Sequence, residues 1–309
     1  MEERIGQVVL NLDNYSGRDM YCDGLIEDTM LEIAETYEEK ELNEVIAKSN
    51  SWPILYHFSH IRQNVVSWLP IAKEDTVLEI GAGCGAITGA LADLAKKVTC
   101  VELSKKRSLI NANRNKDKSN IEILVGNFSD IEPNLKEQYD YITLIGVFEY
   151  AASYIKGENP YERFLNIIRQ HLKPDGKLVI AIENQMGLKY FAGCMEDHVG
   201  KYFKGIEGYD KEDGVRTFSK EALEELFQKC GMGEYTFYYP YPDYKLPLSI
   251  YSDFYLPKVG ELTNNINNFD RERMVLFDEG KAFDNIIMNG MFPQFANSFL
   301  VLIERGQNV

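Results

Sequence analysis

Short apolar runs alternate with amphipathic segments along the chain from Asp75 onward. Each run has the length of a strand, and the segments between runs place their apolar residues at the spacing of a helix. This alternation predicts a parallel sheet that is covered by helices on both faces. The predicted strands are Thr76–Ile80, Lys97–Glu102, Ile121–Val125, Tyr141–Gly146, Lys177–Ile182, Tyr235–Tyr239 and Ser298–Glu304.

The residues outside this alternation follow other patterns. An acidic amphipathic stretch from Leu25 to Lys48 predicts a surface helix, and a second helix is predicted from Trp52 toward Trp68. Residues 183–215 have no clean period, and residues 240–297 are too many for a hairpin loop. We therefore interpret both stretches as insertions, the second with helices of its own.

The composition is that of an ordinary globular protein, with 45% hydrophobic and 26% charged residues in a chain of 309. No apolar stretch approaches the roughly 20 residues that cross a bilayer. The first residues lead into no signal-type apolar region, so a cytoplasmic location is expected. The five cysteines are scattered, without a CxxC pair or a Cys/His cluster, and we expect reduced thiols, no zinc and no other metal.

The net charge of −15 bears on the partner. Binding to nucleic acid depends on cationic side chains that displace counterions, so the acidic balance disfavours a nucleic-acid partner. The basic stretch from Lys105 to Lys118 has the pattern of the solvated face of a helix.

A glycine-rich turn follows the first predicted strand and leads into a helix. Gly81, Gly83 and Gly85 lack Cβ atoms, so the turn can adopt positive φ angles and admit an adenosine-sized ligand against the main chain. The second strand ends in Glu102, whose acceptor-only carboxylate suits both hydroxyls of a ribose. Gly81, Gly83 and Ala86 also match the dinucleotide pattern G-x-G-x-x-G/A, so the glycines by themselves leave a nicotinamide cofactor open.

These features resemble the class I S-adenosylmethionine-dependent methyltransferases. The first motif of that family, an acidic residue followed by G-x-G-x-G, is matched by Glu79 and the three glycines. Further matches are Glu102, Gly126–Phe128, Tyr139–Tyr141 and Leu172–Lys177. In that family the Asn127 position is often an aspartate that binds the adenine amino group, and an asparagine carbonyl can accept the same bond. The resemblance implies that S-adenosylmethionine, or its product S-adenosylhomocysteine, is bound by Glu79, Gly81, Ala82, Gly83, Gly85, Glu102, Leu103, Asn127, Phe128 and Gly146.

The resemblance implies a Rossmann-like, three-layer α/β fold. We expect a mostly parallel seven-stranded sheet whose last strand is antiparallel. The predicted division is an N-terminal helical cap (1–70), a cofactor-binding core (71–184), a lid insertion (185–215), a core helix and strand (216–239), a second insertion (240–297) and the last core strand (298–309).

The sequence gives weaker indications of the methyl acceptor. Residues Gly146–Tyr150 lack the N/D-P-P-Y/F motif of methyltransferases that act on amides and nucleobase amines. Residues 183–198 and 241–247 resemble bacterial methyltransferases associated with glycosyltransferases and surface-polysaccharide assembly. That resemblance implies O-methylation of a sugar or other small-molecule hydroxyl, with a glycosyltransferase as a candidate partner. Aromatic residues that could pack against sugar faces are Tyr190, Tyr209, Tyr241 and Tyr244, although such residues are more often simply packed.

The candidates for the chemistry of the acceptor are His198, an acidic neighbour of His198, and Glu149. His198 is the candidate base, because imidazole titrates near neutral pH, and Asp197 or Glu196 could orient its ring. A loop histidine satisfied by hydrogen bonds is the alternative. Glu149 could face the methyl donor or cap the loop that follows it.

Two other functions remain open at this level. A nicotinamide-dependent oxidoreductase uses the same fold, and a cofactor-binding subunit without catalysis could regulate a partner. The identity of the acceptor and the oligomeric state are not determined by the sequence.

Overall fold

The computed structural model describes residues 1–19, 22–263 and 271–306. Residues 20–21, 264–270 and 307–309 lie outside the described residues; they fall in the predicted helical cap, second insertion and last segment. The chain forms two compact units, one of residues 1–144 with 170–177 and the other of residues 145–169 with 178–309. A helix, α8 (Pro160–His171), and a strand, β7 (Leu172–Glu183), contribute residues to both units.

Four parallel strands form the centre of the first unit. They are β3 (Thr76–Ile80), β4 (Lys97–Glu102), β5 (Ile121–Val125) and β6 (Tyr139–Ile145), and they lie in the order β5-β4-β3-β6. Their side chains are largely buried, as expected for parallel strands covered on both faces. The first three have the predicted bounds, whereas β6 begins two residues before the predicted Tyr141.

Two further strands extend this sheet, and the prediction of seven strands was wrong for that reason. They are β1 (Glu2–Ile5) and β2 (Val8–Asn11), an antiparallel pair in which β2 runs parallel to β5. Val8 and Leu10 are fully buried on one face of β2, while Gly6, at φ 57°, makes the turn between the strands. Four-residue strands are too short to give a clear periodicity, so none was predicted within the N-terminal helical cap, residues 1–70.

The helices of the N-terminal segment are shorter than predicted. The stretch 25–48 gives α1 (Ile26–Thr36) and α2 (Leu42–Ser49), because Tyr37 is extended and ends the first helix. The next stretch gives α3 (Trp52–Phe58), which ends at the extended residue Ser59. The apolar faces of these helices pack against Cys84 of the glycine-rich turn and against Ile110.

The remaining helices of the first unit are α4 (Thr88–Leu94), α5 (Lys105–Arg114) and α6 (Phe128–Ile131). Ser104 caps α5, as predicted, by accepting a hydrogen bond from the Arg107 amide at 3.2 Å. Lys105 and Lys106 form ion pairs with Glu3 and Asp28 of the same unit. The basic stretch is therefore partly neutralised by acidic side chains.

The second unit contains an antiparallel group of strands. These are β8 (Tyr235–Tyr241), β9 (Ser249–Ser252) and β10 (Ser298–Glu304), with β8 paired to both others. The described residues thus contain ten strands, mostly parallel, and the predicted antiparallel last strand is confirmed. The Rossmann-like fold is also confirmed, but β9 lies in the second insertion and was not predicted.

Short helices fill the rest of the second unit. They are α7 (Ala151–Tyr154), α9 (Leu188–Phe191), α10 (Lys204–Glu207), α11 (Lys220–Lys229), α12 (Glu279–Met288) and α13 (Phe292–Phe295). The second insertion thus contains helices, as predicted. None of the helices in the described parts of the chain is long and apolar enough to cross a membrane.

Candidate active site

The glycine-rich turn joins β3 to α4 in a conformation that requires glycine. Gly81, Gly83 and Gly85 have φ angles of 74°, 54° and 76°. The amides of Gly81 and Ala82 both donate to the Val101 carbonyl, at 2.8 and 3.2 Å. The turn is therefore held against the end of the neighbouring strand, β4.

Glu102 and Gly83 together form an open cradle at this turn. Oε2 of Glu102 accepts a hydrogen bond from the Gly83 amide at 2.7 Å, and Oε1 accepts one from the Ser104 amide at 2.9 Å. A Cβ built on Gly83 would meet no atom within 4 Å, so space lies open beside the carboxylate. Each carboxylate oxygen has a second acceptor direction left, which fits the two hydroxyls of a ribose.

Glu79 lies behind the turn and not in the open cradle. It is 2% exposed, and its Oε2 accepts hydrogen bonds from Thr88 Oγ1 at 2.7 Å and from Cys100 Sγ at 3.4 Å. Burial raises the pKa of Glu79 to about 7. Glu79 therefore supports the turn from below, between β3 and α4.

The pKa of Glu79 predicts a pH-dependent stability. Because the folded state binds this proton more tightly than the unfolded state, stability falls as the pH rises from about 4.5 through 7. We expect Glu79→Gln to remove on the order of 2 to 3 kcal/mol of this loss. Urea unfolding of both proteins at pH 5.5 and pH 8 measures it. The matched control is Glu137→Gln, at a carboxylate with 61% side-chain exposure. The prediction would be contradicted if the free energy of unfolding changed equally between pH 5.5 and pH 8 in Glu79→Gln and in the wild type.

Asn127, Phe128 and Leu103 occupy the ends of the neighbouring strands. The side-chain oxygen of Asn127, Oδ1, accepts a hydrogen bond from the Ser129 amide at 3.1 Å and so caps α6. Phe128 is buried at 7% exposure, and Leu103 is half-buried next to Glu102. Their contacts with adenine stay a prediction.

In the second unit, residues 146–150 form a tight turn that buries Glu149. Phe148 fixes this turn because its ring packs against Tyr161, Phe164 and Phe218, with centroids 5.5, 6.2 and 5.8 Å away. The Glu149 carbonyl accepts hydrogen bonds from the Tyr161 hydroxyl and from the Arg216 amide, both at 3.0 Å. Its side chain is left pointing inward, at 1% exposure.

Gly146 belongs to this second unit, unlike the other predicted cofactor residues. A Cβ at this position would lie 2.9 Å from the Tyr244 hydroxyl and 3.6 Å from Oε1 of Glu149. The glycine thus makes room for these two side chains, and its role toward the cofactor stays a prediction.

Three buried side chains come together in the second unit to form the Glu149–Glu183–His198 cluster. Nε2 of His198 lies 3.2 Å from Oε2 of Glu183 and 4.0 Å from Oε1 of Glu149. Nδ1 of His198 lies 2.9 Å from the Tyr150 hydroxyl. Both ring nitrogens are thereby fixed, so the imidazole is oriented by Glu183 and Tyr150.

The prediction that Asp197 orients the imidazole of His198 was wrong. The Asp197 carboxylate instead pairs with the ammonium groups of Lys189, at 2.8 Å, and Lys245, and it accepts a hydrogen bond from the Tyr190 hydroxyl at 2.6 Å. Glu196 contacts the backbone amide of His198, not its ring. Both acidic residues lie next to His198 in sequence, but the loop turns their carboxylates away from the ring.

The pKa values of all three residues in the cluster are shifted strongly from their usual ranges. Burial disfavours the imidazolium of His198, but Glu183 and Glu149 outweigh burial and raise its pKa to about 9. Burial and the neighbouring charge of Glu183 raise the pKa of Glu149 to about 8. Burial also opposes the charge of Glu183, yet the cations Lys245 and His198 hold its pKa well below the usual range. The cluster thus combines groups whose protonation states differ.

The aromatic residues proposed to contact sugars are mostly interior. Tyr190 and Tyr244 are each 1% exposed, and Tyr241 is buried. Their hydroxyls or rings take part in internal contacts, such as the bond from Tyr244 to Oε1 of Glu183 at 3.3 Å. Tyr209 donates to Glu196 at 3.0 Å. We therefore withdraw Tyr190 and Tyr244 as platforms for a sugar face.

A family model described as a methyltransferase domain matches residues 56–232, more than half of the chain. The chain belongs to this methyltransferase family. It is an S-adenosylmethionine-dependent enzyme, and the open cradle beside Gly83 and Glu102 fits the ribose of that cofactor.

The methyltransferase matches curated relatives over parts of their length. An uncharacterized methyltransferase of Staphylococcus carnosus (strain TM300) is 29% identical over 158 residues, which are 51% of this chain and 69% of the relative. Ribosomal RNA small subunit methyltransferase A of Wigglesworthia glossinidia brevipalpis is 26% identical over 144 residues, 44% of this chain and 54% of that protein. Among solved structures, Haemonchus contortus phosphoethanolamine N-methyltransferase 1 aligns with a TM-score of 0.49 at 14% identity, covering 94% of this chain and 52% of that one.

Sequence reasoning missed part of the network around the cluster. Tyr150 lies in the stretch 146–150, and Lys189 and Lys245 lie in the two insertions. None of the three was predicted as a site residue. Glu183 directly follows the predicted strand Lys177–Ile182, which is the one local signal that pointed to it. The spacing of these residues, from Tyr150 to Lys245, carries no periodic signal that could have joined them.

Proposed function

We propose that this methyltransferase transfers the methyl group to a hydroxyl oxygen of a sugar or another small molecule. The observation that supports the proposal is the buried Glu149–Glu183–His198 cluster. An alcohol is a weak nucleophile at neutral pH and must lose its proton as it attacks. A buried set of coupled acids and an imidazole suits that task, whereas transfer to a neutral amine makes less use of it.

The roles of the side chains follow from their contacts. The cofactor supplies an activated methyl group when bound, and the proposed task of Glu102 is to hold its ribose. His198 and Glu149 are the proposed acceptors of the hydroxyl proton, and we assign it to the pair because interacting groups titrate together. Because the pKa of His198 is raised to about 9 and that of Glu149 to about 8, the proposed acceptor is the form of the pair that has lost one proton, which is populated at a pH of about 8 and above. Glu183 and Tyr150 hold the imidazole in place. Asp197 contributes indirectly, by placing Lys245 beside Glu183.

RNA is the other acceptor to consider, because some relatives are named as ribosomal RNA methyltransferases. Those matches cover less than half of this chain. The net charge of −15 opposes binding to a polyanion. Residues 146–150 also lack the N/D-P-P-Y/F motif described above. We therefore favour a small hydroxyl acceptor, and a glycosyltransferase partner stays a prediction attached to a glycan acceptor.

An acceptor screen tests the proposal directly. The protein is incubated with S-adenosylmethionine carrying a deuterated methyl group and, separately, with sugar nucleotides, oligosaccharides, small amines and RNA. Mass spectrometry of the products is expected to show a labelled methyl ether in a hydroxyl compound. Labelling of RNA or of an amine alone would overturn the hydroxyl assignment and leave the methyltransferase activity intact.

A further inference from the structure

We propose that Glu149, Glu183 and His198 form a site for one divalent cation of the type that accepts both oxygen and imidazole ligands, such as Mn²⁺ or Zn²⁺. The proposal departs from the expectation, based on cysteine and histidine spacing, that no metal is bound. It concerns the same cluster as the proposed function, but its test uses neither a methyl donor nor an acceptor.

The geometry of the cluster suits a cation. Each residue offers one ligand atom, and the three atoms all lie within 4.8 Å of one another. Nε2 of His198 is 3.2 Å from the nearest Glu183 oxygen and 4.0 Å from the nearest Glu149 oxygen. Such separations accommodate a cation placed roughly 2.0 to 2.6 Å from each ligand.

One carboxylate oxygen of Glu149 lacks a partner among the described residues, and it is not Oε1, the oxygen nearest to His198. Oε2 of Glu149 is buried and has no hydrogen-bond partner within the described ranges of the chain. A buried carboxylate oxygen without a partner is costly, and native proteins rarely leave one so. The side chain is 1% exposed and lies beside His198 and Glu183, so a bound cation at this point would satisfy it.

Neighbouring side chains hold two of the proposed ligands, His198 and Glu183, in place, as is usual around metal sites. Nδ1 of His198 bonds to the Tyr150 hydroxyl, which leaves Nε2 for a cation. Oε1 of Glu183 is held by Lys245 at 2.6 Å and by Tyr244 at 3.3 Å, which leaves Oε2 directed at the cluster. Outer contacts of this kind fix the orientation of ligands.

A cation in this position would lower the pKa of a hydroxyl bound to it. The imidazole would then be a ligand and not the proton acceptor, and the proton of the hydroxyl would pass to the second carboxylate oxygen of Glu149. The proposal adds a metal requirement to the reaction class and leaves the reaction class unchanged.

Direct metal binding tests the site. The full chain is stripped with EDTA, moved to chelator-free buffer and titrated with Mn²⁺ while electron paramagnetic resonance measures the free ion. We expect one bound ion per chain, and we expect Glu149→Gln and His198→Gln to weaken binding about tenfold or more. Pulsed measurements on the bound ion should show nitrogen hyperfine coupling in the wild type and none in His198→Gln.

The matched control is Glu225→Gln, at an exposed carboxylate of α11, which should bind as the wild type does. Circular dichroism verifies that each variant is folded. If a variant fails to fold, the nitrogen coupling of the wild type decides alone. Weak uptake without defined stoichiometry, equal binding by Glu149→Gln, or bound Mn²⁺ without nitrogen coupling would each overturn the proposal. A metal site with no product in the acceptor screen would instead count against the proposed acceptor only.

Discussion

Replacing His198 with alanine is expected to reduce turnover about 10²- to 10⁴-fold, the range for losing a positioned acid–base group. The imidazole is fixed at both nitrogens, by Glu183 and by Tyr150, and lies 4.0 Å from Glu149. Its removal separates the two carboxylates from the group that links them. The rate of S-adenosylhomocysteine formation with an acceptor found in the screen measures the effect.

Cofactor affinity distinguishes a chemical role from a structural one. Calorimetry with S-adenosylhomocysteine should give the same affinity for His198→Ala and for the wild type, because His198 is not among the proposed cofactor ligands. The matched control is His60→Ala, an exposed histidine that contacts Asn43 at 3.1 Å, and it should keep its turnover. Near-normal turnover of His198→Ala would refute the role assigned to the imidazole.

Glu102→Ala is expected to weaken S-adenosylhomocysteine binding by about 1.5 to 3 kcal/mol, roughly 10- to 150-fold in Kd. The substitution removes the acceptor for two ribose hydroxyls. It also leaves the amides of Gly83 and Ser104 without the oxygens that now hold them, at 2.7 and 2.9 Å. Isothermal titration calorimetry measures the loss.

The control for this substitution is Glu122→Ala, on the neighbouring strand β5, where the side chain is 32% exposed and pairs with Lys97. Its cofactor affinity should match that of the wild type. An unchanged affinity in folded Glu102→Ala would mean that the ribose is bound elsewhere and that the end of β4 is not a cofactor contact.

The local pattern was sufficient to predict the parallel part of the fold. Strands β3, β4 and β5 have the predicted bounds because each is a short apolar run that ends at a polar or glycine residue. The antiparallel last strand was also predicted. The small strands β1, β2 and β9 escaped prediction, since four residues give too little periodicity to separate a strand from a loop.

The cofactor cradle could be predicted from the sequence because its parts are local. The glycines follow β3 directly, Glu102 ends β4, and parallel strands bring such ends to one edge of a sheet. It could not be predicted that the Glu79 side chain lies behind the turn and not in the cradle. Its contact with Thr88 depends on how α4 packs below the turn.

By itself, the sequence determined the alternating fold, the glycine-rich turn and the family, because these depend on short-range order along the chain. Only the tertiary structure decided the environment of His198. Neighbours in sequence, Asp197 and Glu196, turn away from the ring, while Glu149 and Glu183 approach it from distant positions. Periodicity records which face of an element is buried, but it does not record which buried polar groups meet, and that depends on long-range packing.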